Sequence, residues 1–292
     1  MKQINQKHTT DQKQKSNLMT EGNIWKQIIL FSIPLILGNF LQQMYNTVDS
    51  IIVGNYVGSN ALAAVGSSTS LIALLIGFSQ GIAVGAGVVI SQLLGAKSQK
   101  EAKTAIHTAL ALSALLGLAL TIVGIFLSPQ ILKWMKTPDE VMVESISYLR
   151  IYFGGVIFNI IYNMAAGILN AAGNSKRPLL YLGISSVTNI VLDIILIVIL
   201  NMGVEGAAIA TDISQVVSCT LALLYLVRVN ADYKVNLKEI KIHKKYGNKN
   251  YKNRLANRYT EYGYIFFKCT CTVKCKCFWS KSNGRFWSIY EN

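Results

Sequence analysis

Six long apolar segments, separated by short polar stretches, dominate the middle of the chain. A helix needs about 20 apolar residues to cross the roughly 30 Å hydrocarbon core of a bilayer, and each segment is at least that long. Glycines within the second segment, in GFSQGIAVGAG, are typical of membrane helices that approach one another closely. The pattern therefore predicts an all-α fold, a six-helix transmembrane bundle with spans at residues 26–52, 61–93, 105–128, 141–169, 178–201 and 205–228.

The same pattern divides the chain into four regions. Residues 1–24 are polar and contain no apolar core, so we expect a cytoplasmic N-terminus and not a cleavable signal peptide. Residues 25–230 hold the six spans, and residues 231–245 are expected to form a cytoplasmic linker. Residues 246–292 have no helical or strand period, no proline and no apolar run of bilayer length, which predicts a disordered tail.

Loop charges predict the orientation of the bundle. The chain is 52% hydrophobic and 14% charged, with a net charge of +14. Because positively charged loops are retained in the cytoplasm, bases after the even-numbered spans predict a multi-pass protein of the cell (inner) membrane with its N-terminus inside. Such bases favour contact with the lipid bilayer over nucleic-acid binding. They are Lys97, Lys100, Lys103, Lys176, Arg177, Arg228, Lys234 and Lys238.

Two aspartates within the apolar spans are the leading candidates for a functional site. Asp49 lies near the end of the first span, and Asp193 lies in the middle of the fifth with Asn189 one helical turn before it. Thr211 and Asp212 add a hydroxyl and a third acid on the sixth span. Oxygens of this kind suit a proton or a hard cation such as sodium. Alternatively, Asp49 lies at the outer interface and Asp193 is merely paired.

The first span also carries a proline and three amides. Pro34 removes a backbone hydrogen bond in FSIPLILG and permits either a functional bend or a static kink. Gln42, Gln43 and Asn46 follow on the same helix. They are expected to line a wet cavity or to pair with other helices.

Several stretches resemble the multidrug and toxic compound extrusion (MATE) transporters. They are EGNIWKQIILFSIPLILGNFLQQMYNTVDSIIVGNYVGSNALAAVG, GAKSQKEAK, SYLRIYFGGVIFN, NAAGNSKRP and TNIVLDIILIVILNMGVEGAAIAT, in that order. The resemblance implies export of cationic, often aromatic drugs in exchange for protons or sodium. It also implies an ion-coupling network at Asp49, Asn189, Asp193 and Thr211 and a bending first helix at Pro34. It gives Asp212 no counterpart.

The resemblance covers roughly residues 20–245, which correspond to the first of two six-helix lobes that alternate access to a central cavity. We therefore expect the second lobe to be missing, so the chain is either a truncated cation-coupled antiporter or an inactive remnant of one. A lipid-precursor flippase is a further alternative. The ATP-binding pattern GxxxxGK[ST] does not occur, and we expect no enzyme activity and no cofactor besides the coupling ion, H⁺ or Na⁺.

Four cysteines in the tail, in CTCTVKCKC, suggest either a metal or redox site or a shifted reading frame. In the shifted frame, the tryptophans of FWSKSNGRFW (278–287) become glycines, and the stretch can decode as FGAKAMAGFG. That product resembles VGSNALAAVG at 57–66. Upstream, YGNKNYKNRLAN can decode as MEIKIIKIGLPT, which restores a proline. We therefore expect an out-of-frame tail that begins near Lys244–Lys245 and has no metal site.

Overall fold

A computed structural model describes residues 24–229, 231 and 233–235. The described part of the chain consists of six long helices joined by short loops, which confirms the predicted all-α bundle, and most of the helices extend beyond the predicted spans at both ends. The N-terminal region, most of the linker and the cysteine-containing tail lie outside the described residues. The helices are α1 (Ile24–Tyr56), α2 (Ser59–Gly95), α3 (Gln99–Trp134), α4 (Asp139–Ala171), α5 (Lys176–Asp193), which continues as a π segment (Ile194–Ile199), and α6 (Gly203–Arg228).

Five spans of the described chain are long and apolar enough to cross a membrane: α2, α3, α4, α5 together with the π segment, and α6. Helix α1 is not one of these five, but it has 33 residues. At 1.5 Å per residue it is about 50 Å long, more than the roughly 30 Å of the hydrocarbon core. The six predicted spans therefore correspond to six helices of sufficient length.

Helix α4 lies at the centre of the lobe, where it packs against α2, α3 and α6, while α5 packs against α1 and α6. The crossing of α2 and α4 depends on small residues. A Cβ atom at Gly167 would lie 2.7 Å from the backbone oxygen of Ala83, and one at Gly87 would lie 3.3 Å from the oxygen of Gly167. Glycine at these positions therefore lets the two backbones approach closely, as membrane helices require in the absence of a hydrophobic driving force.

The chain leaves α6 and folds back onto the bundle. The backbone N–H of Val235 donates to the carbonyl of Leu226 at 3.0 Å, and Val229, Tyr233 and Val235 are buried in one apolar cluster with Leu226. Burial raises the pKa of Tyr233 to about 12, so its phenol stays neutral at physiological pH. The start of the linker is therefore fixed to the end of the sixth helix.

The same end of the molecule contains a cation–π contact. The guanidinium carbon of Arg177, at the start of α5, lies 4.9 Å from the centroid of the Tyr225 ring. The Asn174 side chain donates to the Tyr225 hydroxyl at 3.2 Å. These contacts join the α4–α5 loop to the last turns of α6.

Candidate functional site

The fifth membrane span changes its helical geometry immediately after Asp193. From Ile194 to Ile199 the helix is a π-helix, and the backbone N–H of Leu200 donates to the carbonyl of Ile195, five residues earlier, at 2.9 Å. Such wide turns are rare and are frequently found at functional sites. The local sequence IILIVI contains no glycine or proline that signals this change, and sequence reasoning missed it.

Asp193 is completely enclosed by protein. Its side chain is 0% exposed, and neither carboxylate oxygen has a hydrogen-bond partner among the described residues. Asn189, one turn earlier on α5, is 1% exposed. Its amide nitrogen lies 3.5 Å from the hydroxyl oxygen of Thr211, at the upper limit of a hydrogen bond.

Helices α5 and α6 are also joined one turn from Asn189 towards the α4–α5 loop. There the hydroxyl of Ser185 donates to the carbonyl of Ser214 at 2.6 Å. Because this bond fixes the two helices against each other, Asn189 and Thr211 face one another within the lobe. The side-chain oxygen of Asn189 has no hydrogen-bond partner within the described chain.

Asp49, on α1, lies in the same part of the lobe as Asp193. Its side chain is 7% exposed, and its Oδ1 atom is buried without a hydrogen-bond partner in the described part of the protein. Its neighbours on α1, Ile52 and Val53, belong to one apolar cluster with Ile197 of the π segment and Val204 of α6. Asp49 also lies within electrostatic range of Asp193. The structure thus places Asp49 in the protein interior and not at an exposed outer interface.

The four predicted ion-coupling residues therefore come together from three helices. Asp49, Asn189 and Asp193 each contribute at least one buried acceptor oxygen that has no hydrogen-bond partner among the described residues. A carboxylate without a partner in a membrane is costly, by about 2.5–3.5 kcal/mol even on insertion scales, unless a proton or a cation neutralises it. Among the described residues, no group of three or more His, Cys, Asp and Glu side chains forms a metal site. An ion bound here would also need the amide and hydroxyl oxygens.

The remaining predicted residues of α1 are Pro34, Gln42, Gln43 and Asn46. Pro34 is buried within an unbroken helix. One turn later, the position of a Cβ at Gly38 would lie 3.7 Å from Leu182, which places this face of α1 against α5. Gln42 is half-buried, whereas Gln43 and Asn46 are exposed in the described lobe. The expectation that these three residues line a cavity stays a prediction.

Sequence reasoning missed two tyrosines of α4. Tyr148 and Tyr152 are buried, with ring centroids 6.4 Å apart and ring planes 21° apart. Tyr148 lies within electrostatic range of Asp49 and Asp193. Polar or small residues recur on α4 at intervals of three or four positions, which was the available signal. They are Ser145, Tyr148, Tyr152, Gly155 and Asn159.

Asp212 faces a different helix from its neighbour Thr211. Its carboxylate lies against Gly155 of α4, in the space that a Cβ atom at this glycine would occupy. Successive residues of an α-helix are about 100° apart around the axis, so Thr211 can face α5 while Asp212 faces α4. The sequence identified Asp212 as a third acid, and the family resemblance gave it no counterpart in the ion-coupling network.

Comparisons with known proteins agree with this architecture. The family model MatE matches residues 34–195. The "Probable multidrug resistance protein YpnP" of Bacillus subtilis (strain 168) is 34% identical over 209 residues, which make up 72% of this chain and 47% of that protein. The "Multidrug export protein MepA" of Staphylococcus aureus (strain N315) is 28% identical over 221 residues, 76% of this chain and 49% of that protein.

Solved structures of MATE transporters also match the fold of this chain. A crystal structure of MATE in the bent conformation matches with a TM-score of 0.73 at 30% identity, over 78% of this chain and 51% of that chain. An outward-facing multidrug resistance MATE family transporter of the MOP superfamily matches with a TM-score of 0.72. The chain therefore spans about half the length of the relatives it matches. Because the family model covers more than half of the chain, this protein belongs to the MatE family of multidrug and toxic compound extrusion transporters.

Proposed function

We propose that this chain forms one lobe of a cation-coupled multidrug efflux antiporter. The coupling ion is a proton or sodium, and the exported substrates are cationic or aromatic small molecules. Support comes from the relatives named as multidrug resistance and multidrug export proteins. The membrane-length helices support a site of action within the cell membrane.

The main support for this proposal is the buried carboxylate of Asp193. It is fully buried, and both of its oxygens lack a hydrogen-bond partner among the described residues. An acid that served only to hold the fold together would be expected to have a permanent partner, since an unpaired one opposes folding. Asp193 instead suits an ion that binds and leaves. Asp49 and Asn189 supply further oxygens for this ion.

Ion binding would change the packing of the first helix. Neutralising Asp193 and Asp49 removes the repulsion between them, so α1 and the π segment can move closer together. Pro34 leaves the carbonyl of Leu30 without its usual donor, which makes α1 easier to bend on the cytoplasmic side of Asp49. In this mechanism the bend reshapes the cavity between the two lobes, and release of the ion restores the straight helix.

The test is ethidium accumulation in efflux-deficient cells that express the chain. We expect lower accumulation than in vector-only cells, and we expect the Asp193→Asn variant to return it to the vector level. Asp139→Asn, at the exposed start of α4, is the matched control and should behave like the unchanged chain. Efflux that survives in the Asp193→Asn variant would contradict the assigned role of this residue.

The alternatives predict other outcomes of this experiment. If the chain is an inactive remnant, cells that express any of the variants accumulate as much ethidium as vector-only cells, although each protein is detected in the membrane. A lipid-precursor flippase gives no ethidium efflux that depends on an ion gradient. Imposing a sodium gradient or a proton gradient separately then identifies the coupling ion.

A further inference from the structure

One face of α4, along the first half of the helix, is left uncovered by the other described helices. Helix α4 packs against α2, α3 and α6, yet Val143, Arg150 and Gly154 are exposed. These positions are seven and four residues apart, so they share one face of the helix. Because Gly154 has no side chain, this face forms a groove beside α6, which we term the α4–α6 groove.

The contact between Asp212 and Gly155 fixes how α6 lies beside this groove. The carboxylate of Asp212 occupies the space where a Cβ atom at Gly155 would lie. Helices α4 and α6 run in the same direction, since one helix separates them along the chain. Arg150 precedes Gly155 by five residues, and Glu205 precedes Asp212 by seven. At 1.5 Å per residue, Arg150 and Glu205 lie at levels that differ by about 3 Å.

Glu205 borders the same groove. It lies almost two turns before Asp212 and therefore on the same face of α6. Glu205 and Arg150 are both exposed, and neither makes a hydrogen bond or an ion pair with another residue of the described chain. The axes of packed helices are about 8–10 Å apart. The groove thus has an unpaired base on its α4 side and an unpaired acid on its α6 side, at nearly the same level.

The depth of Arg150 suits a lipid headgroup. Helix α4 has 33 residues and begins at Asp139, so it is about 50 Å long and projects about 10 Å at each end when centred on the hydrocarbon core. Arg150 lies about 16 Å from that start, just inside the core. Helical side chains point back towards the helix N-terminus, and long basic ones extend to the interface. The guanidinium is therefore expected at the level of the lipid phosphates.

We propose that the α4–α6 groove binds a phosphatidylethanolamine molecule. Arg150 donates to the phosphate, Glu205 accepts from the ammonium group, and an acyl chain lies over Gly154. Hydrogen bonds between guanidinium and phosphate are charge-assisted and strong. Phosphatidylglycerol is a poorer fit, because its headgroup offers Glu205 no cation. The site is separate from the ion-coupling residues and does not depend on the proposed efflux function.

The test is native mass spectrometry of the purified chain in detergent, titrated with phosphatidylethanolamine or with phosphatidylglycerol of the same acyl chains. The unchanged chain should bind phosphatidylethanolamine at least about fivefold more tightly. Arg150→Gln should weaken that binding about tenfold, as expected for the loss of a charge-assisted contact. Glu205→Gln should abolish the preference between the two lipids. Circular dichroism and thermal melting establish that each variant is folded.

Gly154→Leu tests the groove itself. The new side chain occupies the place of the acyl chain, so binding of both lipids should fall about tenfold. The position is exposed, and a Cβ atom there would lie 3.9 Å from the nearest side-chain atom, Oδ2 of Asp212, so the variant should fold. Gly66→Leu is the matched control on α2, where nothing lies within 4 Å of the added Cβ. Normal lipid binding by Gly154→Leu contradicts the proposal.

Glu144→Gln is the control for the loss of a charge. Glu144 is exposed on α4, but it precedes Arg150 by six residues and points about 120° away around the helix axis. This variant should bind both lipids as the unchanged chain does. Binding of phosphatidylethanolamine by Arg150→Gln within about twofold of the unchanged chain overturns the proposal. Equal affinities of the unchanged chain for the two lipids also overturn it.

The competing explanation is a direct ion pair between Arg150 and Glu205 that serves only stability. In that case Arg150→Gln and Glu205→Gln both lower the melting temperature, and neither changes the ratio of the two lipid affinities. That combination of results would reject a lipid site in the groove.

Discussion

At the residue scale, individual residues, and glycines in particular, determine how closely the helices of this lobe approach one another. Gly167 is the clearest example on α4, since a Cβ atom there would lie 2.7 Å from the oxygen of Ala83 and 3.2 Å from its carbon. Both of those atoms belong to the backbone and cannot rotate away. The sequence marks the glycines of α2 as typical of close packing, but it does not identify the partner helix.

Gly167→Ala should therefore destabilise the lobe. The added methyl group must separate α2 from α4, and overpacking of this kind typically lowers the free energy of unfolding by about 1–3 kcal/mol. The measurement is thermal unfolding of the purified protein in detergent. Gly66→Ala is the matched control on α2, where nothing lies within 4 Å of the added atom. An equal melting temperature for the Gly167→Ala variant and the unchanged chain would refute this reading of the α2–α4 contact.

At the element scale, two spans depart from regular α-helix for different reasons. Helix α1 contains Pro34, whose effect follows from covalent structure and is visible in the sequence. The π segment Ile194–Ile199 contains only β-branched residues and leucine, and none of them requires five-residue hydrogen bonds. It places Ile197 in the cluster that also contains Ile52 and Val204. Packing against α1 and α6 therefore accounts for the π segment better than local sequence does.

Pro34→Ala tests whether the proline serves movement or only shape. Alanine restores a backbone hydrogen bond, worth about 0.5–1.5 kcal/mol, so the variant should be at least as stable as the unchanged chain. If bending is part of transport, ethidium efflux should fall in spite of this stability. Pro129→Ala on α3 is the control, because it removes a proline from the interior of another described helix. Unchanged efflux in the Pro34→Ala variant would indicate a static kink.

At the scale of the whole molecule, loop charge and helix packing distinguish one end of the lobe from the other. The α2–α3 loop carries Lys97, and the α4–α5 loop leads into Lys176 and Arg177. The end of α6 lies beside this last base, through the contact between Arg177 and Tyr225. Bases from different loops therefore share one end of the bundle, which is the arrangement that positive charges in cytoplasmic loops require.

This arrangement predicts which loops face the cytoplasm. In a background with the five native cysteines replaced by serine, Asn55→Cys at the end of α1 should react with a membrane-impermeant thiol reagent added to intact cells. Ala96→Cys, at the end of α2, should react only after the membrane is permeabilised. Both positions are exposed in the lobe, so burial does not account for a difference. The reverse labelling pattern would show that the N-terminus lies outside the cell.

The sequence alone determined the helical class, the number of long helices and the identity of the acids within them. These properties depend on local composition, because a bilayer requires every spanning segment to satisfy its own backbone hydrogen bonds and to be apolar over a fixed length. The sequence also connected Asn189 with Asp193, since one helical turn separates them.

Only the tertiary structure decided which oxygens lie together and which lie apart. Asp49 is separated from Asp193 by 144 positions, and the α1 packing that brings them into the same region depends on apolar contacts with the π segment and α6. Asp212 follows Thr211 directly, yet it lies against Gly155 of another helix. The sequence could not show this separation, because the direction in which each side chain points depends on how the helices pack around it.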